Sequence, residues 1–445
     1  MQGGVIMNIN NMWDSYRTQI SFGLMAAILL FVGFNQSWVL ALGIFNLCVI
    51  SSIMSLGVNI QWGYAGLFNV GIMGFAALGG LSVVLISQQP VTEAIAAGGF
   101  DMLVALILGV ITVAVSIYLH KLKCNKWLVA ASILIGFFAV RYFFSDASSA
   151  IEKVNPAGTG YLGGLGLPVL LSWVVGGFAA AGAAWGVGKI TLGLRSDYLA
   201  IATLGISEII IYVIKNEDWL TRGVKNVTGL QRPVPYELEL QKTPWFQDLA
   251  QYFDAGLGEF STLFVKLCYG GIFLAVLVAL VVMANLALDS PWGRKVRAIR
   301  DNEVSAAAMG KDIKRQHLQI FVIGSAIVGL AGAMLVTYNG LLNPTSYQPL
   351  RFTFLIWVMV IVGGSGNNLG SVIGAFIIWF LWIQAGPMGL WLAEVISSVA
   401  GEQSSITLFI EDRVHHLRLV FMGAIMLMVM RFTPGGILPE KNKEL

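Results

Sequence analysis

Apolar residues fall in long runs separated by short polar stretches. Twelve such runs cover residues 20–34, 38–58, 63–87, 102–119, 127–144, 166–190, 198–214, 262–288, 317–340, 353–362, 370–386 and 414–430. A bilayer-spanning helix needs about 20 predominantly apolar residues, and most of the runs meet that length. The runs 20–34 and 353–362 are short and read as half-helices or re-entrant pieces. The pattern predicts an all-α, polytopic transmembrane helical bundle of ten to twelve spans.

The polar stretches orient the bundle. Loop His120–Lys126 carries Lys121, Lys123 and Lys126 without an acid, and residues 289–316 carry seven basic groups against four acids. Residues 88–101 (Glu93, Asp101) and 387–412 (Glu394, Glu402, Glu411, Asp412) carry acids and no Lys or Arg. Basic loops stay in the cytoplasm, so twelve crossings put all four loops on their preferred sides and both termini inside. Residues 215–261 hold five bases and seven acids, with Pro233, Pro235 and Pro244 interrupting any continuous helix. They are expected to form a small external cap of short helices and turns. The expected organisation is N-terminal membrane helices over 1–214, the cap over 215–261, C-terminal membrane helices over 262–430 with the cytoplasmic loop 289–316, and a cytoplasmic tail over 431–445.

Composition narrows the class. Hydrophobic residues make up 57% of the 445, and charged residues only 11%, less than half of the roughly 25% usual in a soluble protein. An ordinary soluble enzyme, a nucleic-acid binder and a disordered chain are excluded. The lipid bilayer is the solvent, and a net charge of +3 calls for no polyanionic partner. Cys48, Cys124 and Cys268 read as small buried side chains rather than a disulfide framework. The first apolar run leads straight into the next and reads as a retained anchor. Trp38, Trp127, Trp292, Trp382 and Trp391 mostly fit interfacial belts.

Candidate chemistry is sparse. Gly188-Lys189 fails the phosphate-loop pattern, because Ile190 stands where Ser or Thr is required and Ala183 where glycine is. Adjacent His415 and His416 cannot share a helical face as i,i+4 ligands do. No metal site, catalytic group or bound cofactor is expected. Gly182-x-x-x-Gly186 and Gly370-x-x-x-Gly374 have the spacing that lets helix backbones approach closely. Glu208, midway along 198–214 with Thr203 and Ser207 nearby, is a costly carboxylate at membrane depth and marks either a translocation path or a structural tie. Asn59, Gln61, Tyr64 and Asn69 edge the glycine-rich 63–80 segment and either line a polar path or satisfy a broken helix. Gly363–Gly370 reads as a second docking element or a gate hinge.

Loop 289–316 is the most informative segment. Ser290-Pro291 signals a helix start, Gly310 a helix stop, and a short amphipathic helix is expected from about Asp301 to Met309. Its apolar side, Val304, Ala307 and Ala308, is small, which suits a shallow protein groove better than lipid.

The run Glu303-x-x-Ala306-Ala307-x-x-Gly310 resembles the coupling motif of ABC importer permeases. The wider blocks NIQWGYAGLFNVGIMGFAALGG (Asn59–Gly80), LRSDYLAIATLGISEII (Leu194–Ile210), LTRGVKNVTGL (Leu220–Leu230), SPWGRKVRAIRDNEVSAAAMG (Ser290–Gly310), VIVGGSGNNLGSVIGA (Val360–Ala375) and RFTPGGILPEK (Arg431–Lys441) are similar to the LivM-type permeases of branched-chain amino acid importers. The resemblance implies a non-enzymatic subunit of an importer in a bacterial inner membrane. Arg300, Asp301, Asn302, Glu303, Ala306, Ala307, Met309 and Gly310 would couple it to two cytoplasmic ATP-binding subunits, which carry the ATP and magnesium. A second, LivH-type permease would complete the path, and a periplasmic binding protein would deliver leucine, isoleucine, valine or another neutral amino acid. Urea or short-amide importers share these blocks. An ion-coupled transporter acting alone and a non-transporting scaffold are the readings from other classes.

Overall fold

The computed structural model describes residues 2–156, 158–400, 419–421 and 423–440. The helices are α1 (Gln2–Asn35), α2 (Trp38–Gln61), α3 (Ile72–Ser87), α4 (Thr92–Ala94), α5 (Phe100–Lys121), α6 (Lys126–Lys153), α7 (Val169–Thr191), α8 (Ser196–Asn216), α9 (Asp218–Thr221), α10 (Glu237–Lys242), α11 (Pro244–Tyr252), α12 (Leu257–Asp289), α13 (Pro291–Asp301), α14 (Glu303–Ala308), α15 (Ile313–Asn339), α16 (Pro349–Gly363) and α17 (Asn368–Ala400). A further apolar helix covers Leu419–Phe432. Two short strands, β1 (Val227–Thr228) and β2 (Leu341–Leu342), pair antiparallel with Val227 opposite Leu342.

Among the described residues nine helices are long and apolar enough to cross a membrane, and three shorter apolar helices accompany them. The protein is a polytopic helical bundle. The first apolar run is not a half-helix: it ends the 34-residue α1, whose apolar part, Tyr16–Asn35, has spanning length. The run 353–362 does lie in a short helix, since the 15 residues of α16 rise about 22 Å against a hydrocarbon core of about 30 Å. The run 63–87 is helical only from Ile72, because Trp62–Gly71 leaves the helical path.

The core is a layer of α2, α3 and α15, with α7 against α3 and α15, and α16 and α17 against α2. Close approach depends on glycine. A methyl group added at Gly79 would collide with the carbonyl of Gly329, and one at Gly374 with the carbonyl of Met359. Gly182 and Gly186, despite their spacing, have no neighbour within 4 Å. They lie on a face of α7 turned away from the described helices, so spacing alone did not identify the packed face. At the margin α5 and α6 pack chiefly on each other. The apolar stretch of α6 is 0% buried, against 72% for α15, so lipid is the solvent that this hairpin requires.

The chain alternates between two ends of the bundle. One end gathers the Pro90–Gly163 bridge, the β1–β2 pair and the short helices α9, α10 and α11 of segment 217–256. Phe246 of α11 is fully buried against Phe260 and Phe264 of α12. The opposite end gathers the Trp62–Gly71 break, α13, α14, the turn 363–367 and the tail to Glu440. Following the helices, loop 121–126 falls at this second end too. The acidic run 387–412 and the pair His415 and His416 lie wholly or partly outside the described residues.

Candidate functional site

Loop 289–316 folds as two short helices rather than one. Ser290 caps α13, its Oγ accepting from Trp292 N at 3.2 Å, with Pro291 in the first turn. The α13 face of Val296 and Ile299 is buried, while Trp292 donates its indole N–H to Gln319 Oε1 at 3.0 Å. Trp292 therefore ties the loop to α15. Asn302 is extended (φ −155°) and breaks the expected 301–309 helix, and its Oδ1 caps α14 by accepting from Ser305 N at 2.9 Å. Gly310, at φ +74°, turns the chain out of α14 in the left-handed region that glycine tolerates. On α14 only Ala306 turns inward. Val304 is 80% and Met309 77% exposed, with Glu303, Ala307 and Ala308 exposed beside them.

Arg300 fastens this loop to the bundle. Its Nη1 donates to Gly63 O at 2.6 Å and to Glu440 Oε2 at 2.9 Å, Nη2 donates to Glu440 Oε1 at 3.3 Å, and Nε donates to Asp301 Oδ1 at 3.1 Å. Burial works against the guanidinium's charge, but the hydrogen bonds and charges of Glu440 and Asp301 prevail and raise its pKa. One forked cation thus joins α13, the Trp62–Gly71 break and the tail. Tyr64, buried in the same break, is pushed up to about 12 by burial and then by the charge of Glu440, so it stays a neutral phenol.

Deeper in, amides form two hydrogen-bonded groups, one around Asn59 and one around Gln61. Asn59 Oδ1 accepts from Gly366 N at 2.9 Å and its Nδ2 donates to Asn368 Oδ1 at 3.1 Å. Asn368 Nδ2 donates in turn to Asn285 Oδ1 at 2.8 Å. Gln61 Nε2 donates to Phe321 O and Ser325 Oγ, its Oε1 accepts from Asn69 Nδ2, and Asn69 Oδ1 accepts from Gly71 N. Thr203 Oγ1 accepts from Val70 N at 3.1 Å. These side chains satisfy the backbone that the break in the helix exposes. The turn at Gly364 and Gly366, both at positive φ, lies under Leu438 and Glu440.

On α8, Thr203 and Ser207 lie one turn apart and face α3, where Ser207 fits against Gly74. Glu208 is a single step further round and is exposed. It opens onto a groove of about 780 Å³ walled by α8, the start of α16, Trp382 of α17 and the Leu419–Phe432 helix. Lys215 and Arg351 line the same groove. The Arg351 guanidinium lies 4.9 Å over the Trp382 ring.

The structure therefore separates the residues singled out in the sequence. Asn59, Gln61, Asn69 and Thr203 lie around the Trp62–Gly71 break, Arg300 ties that break to loop 289–316 with Asp301 and Tyr64 beside it, and Glu208 stands apart in the groove. Glu440, Asn368, Asn285 and Arg351 are functional candidates that only the three-dimensional arrangement brings out. Arg351 did carry a signal: a cation two residues after Pro349, where an apolar run begins.

The profile of the branched-chain amino acid transport system permease component family matches residues 147–430. The high-affinity branched-chain amino acid permease protein LivM of Escherichia coli is 26% identical over 280 residues, 61% of this chain and 57% of that protein. A probable LivM of Methanocaldococcus jannaschii is 24% identical over 394 residues, 87% and 90% of the two chains. The xylose transport permease XylH of Escherichia coli is 24% identical over 242 residues, 52% and 49%. The matched part spans a little over half the length of the LivM proteins of Escherichia coli and Salmonella typhimurium. No solved structure matches the chain. The match covers well over half of the chain, including loop 289–316 and the groove helices, and the chain belongs to the branched-chain amino acid transport system permease family.

Proposed function

We propose that the chain is the permease subunit of an ATP-driven importer for branched-chain or other neutral amino acids in a bacterial inner membrane. The observation that carries this reading is the form of loop 289–316 in a chain of this family. It presents the small apolar surface of Val304, Ala307 and Met309 outward while Arg300 holds its base rigidly to the bundle. Two cytoplasmic ATP-binding subunits dock there and on the second permease, and they carry out the ATP hydrolysis. A LivH-type permease completes the path, and a periplasmic binding protein delivers the cargo to the end that carries α9–α11.

Coupling follows from the ties. The closed and open ATPase dimers contact α14 differently, and a ligand that distinguishes two states shifts their balance. Arg300 passes a displacement of α13 to Gly63 and Glu440, and so to the Trp62–Gly71 break and the 363–367 turn. Affinity purification of the tagged chain from its native membrane, followed by uptake in proteoliposomes, tests the reading. Co-purification of ATP-binding subunits and ATP-dependent uptake of radiolabelled leucine are the expected results. Uptake by the chain alone, driven by an ion gradient and indifferent to ATP, contradicts it.

A further inference from the structure

We propose that the groove between α8, α16, α17 and the Leu419–Phe432 helix holds the zwitterionic head of a free amino acid, with Glu208 taking the ammonium and Arg351 the carboxylate. The proposal rests on the importer reading and adds where in this chain the cargo is held.

The first argument is the cost of the charges. Glu208 lies twelve residues into the 21 of α8, and an ionised side chain at such depth is expensive unless it meets a partner. Among the described residues Glu208, Lys215 and Arg351 form no ion pair with one another or with any other group. Asn59, Gln61 and Asn368, buried amides in the same bundle, are by contrast hydrogen-bonded within the chain. Three unmatched charges on one cavity wall, an acid and two bases, call for a ligand that itself carries both signs.

Geometry supports the assignment of ends. The Arg351 guanidinium lies 4.9 Å over the Trp382 ring and 5.7 Å from the centre of the Phe352 ring. Contact with aromatic rings does not use up the guanidinium N–H groups, which can form two parallel bonds to a carboxylate. Arg351 is in the first turn of α16, whose cap residue Gln348 makes no side-chain capping bond, so free backbone N–H groups add to the positive end. Glu208 is about 10 Å along α8 from Lys215, at 1.5 Å rise per residue. Lys215 therefore stands at the mouth, where it draws the carboxylate inward.

The wall between the charges is apolar. Leu350, Phe354, Leu419 and Met426 line it, a surface for an aliphatic side chain rather than a polar one. Tyr347 and Leu355 line both this groove and a second cavity of about 300 Å³ bounded by Met54, Met73 and Met359. Uncharged urea would leave both Glu208 and Arg351 unmatched.

The test uses the full chain in lipid nanodiscs with radiolabelled L-leucine as probe. Two competitors are L-leucinamide, which lacks the carboxylate, and 4-methylpentanoate, which lacks the ammonium. The wild-type chain is expected to prefer leucine over both. Glu208→Gln lowers leucine affinity about 10–100-fold, the weight of a hydrogen bond to a charged group, and abolishes discrimination against 4-methylpentanoate. Arg351→Gln does the same for leucinamide, and Glu208→Asp retains leucine binding. Tryptophan-monitored melting of each variant separates lost binding from lost fold. Wild-type affinity and discrimination in both Gln variants overturn the proposal. So does absence of leucine binding combined with loss of assembly with the second permease, which would make the groove a subunit contact. ATP-driven leucine uptake with unchanged KM in both Gln variants sinks the site but not the importer, whereas uptake indifferent to ATP sinks the importer reading.

Discussion

The coupling end and the groove solve the same problem in opposite ways. Both place polar side chains among apolar helices. At the end that carries α13 and α14 the central polar groups find their match inside the chain: Asn59 with Gly366 and Asn368, Gln61 with Asn69 and Ser325, Arg300 with Gly63 and Glu440. In the groove Glu208 and Lys215 have no such match among the described residues, and Arg351 rests on aromatic rings. A satisfied network fixes one arrangement of its helices. An unsatisfied set of charges is costly in the empty state and gains most from a ligand. On the proposed reading, the difference separates polar residues that hold the helices together from those that meet the cargo.

The strongest way to break the comparison is at Arg300. Arg300→Glu sets an acid against Glu440 and removes the donor to Gly63. Uptake is expected to fall at least about 100-fold and stability by about 2–3 kcal/mol, less than the 3–5 kcal/mol of a fully buried pair because both side chains remain about a quarter exposed. Thermal unfolding in detergent and uptake in proteoliposomes measure the two effects. Next is Asn59→Leu, which strands the Gly366 N–H and the Asn368 Oδ1 at a cost of about 2 kcal/mol while leaving leucine affinity within about twofold.

The third variant separates docking from folding. Ala307→Asp puts a charge on the exposed face of α14 and is expected to uncouple ATP hydrolysis from uptake, with the thermal midpoint unchanged. Gly310→Val gives the same phenotype together with a modest loss of stability, about 1 kcal/mol, because a β-branched residue is strained at φ +74°. ATPase stimulation assayed beside uptake reads both. The smallest effect belongs to Lys215→Met, which lowers the rate of leucine entry a few-fold at low salt and is indistinguishable from wild type at high salt, where steering is screened.

Hydropathy made most of the helices legible, since spanning segments announce themselves by length and composition. The local signals of the coupling loop were legible too: Ser290-Pro291 began a helix and Gly310 ended one. What stayed hidden depends on tertiary pairing. Asn302 breaks the loop helix by capping α14, which a helical pattern read through 301–309 does not show. Glu440 meets Arg300 across 140 positions of sequence. Glu208 was visible as a carboxylate in an apolar run, but Arg351, which lines the same groove, is brought there only by the packing of α16 beside α8. The glycine spacings show the same limit: Gly374 is pressed against α16, while Gly182 and Gly186 face open space.

The most direct test of this division is to measure leucine affinity and thermal midpoint side by side for Glu208→Gln and Asn59→Leu. The account predicts opposite losses: Glu208→Gln binds leucine at least about tenfold more weakly at an unchanged midpoint, and Asn59→Leu melts several degrees lower with its affinity kept. Loss of stability in Glu208→Gln without loss of affinity would show that the groove charge belongs to the architecture, and would contradict it.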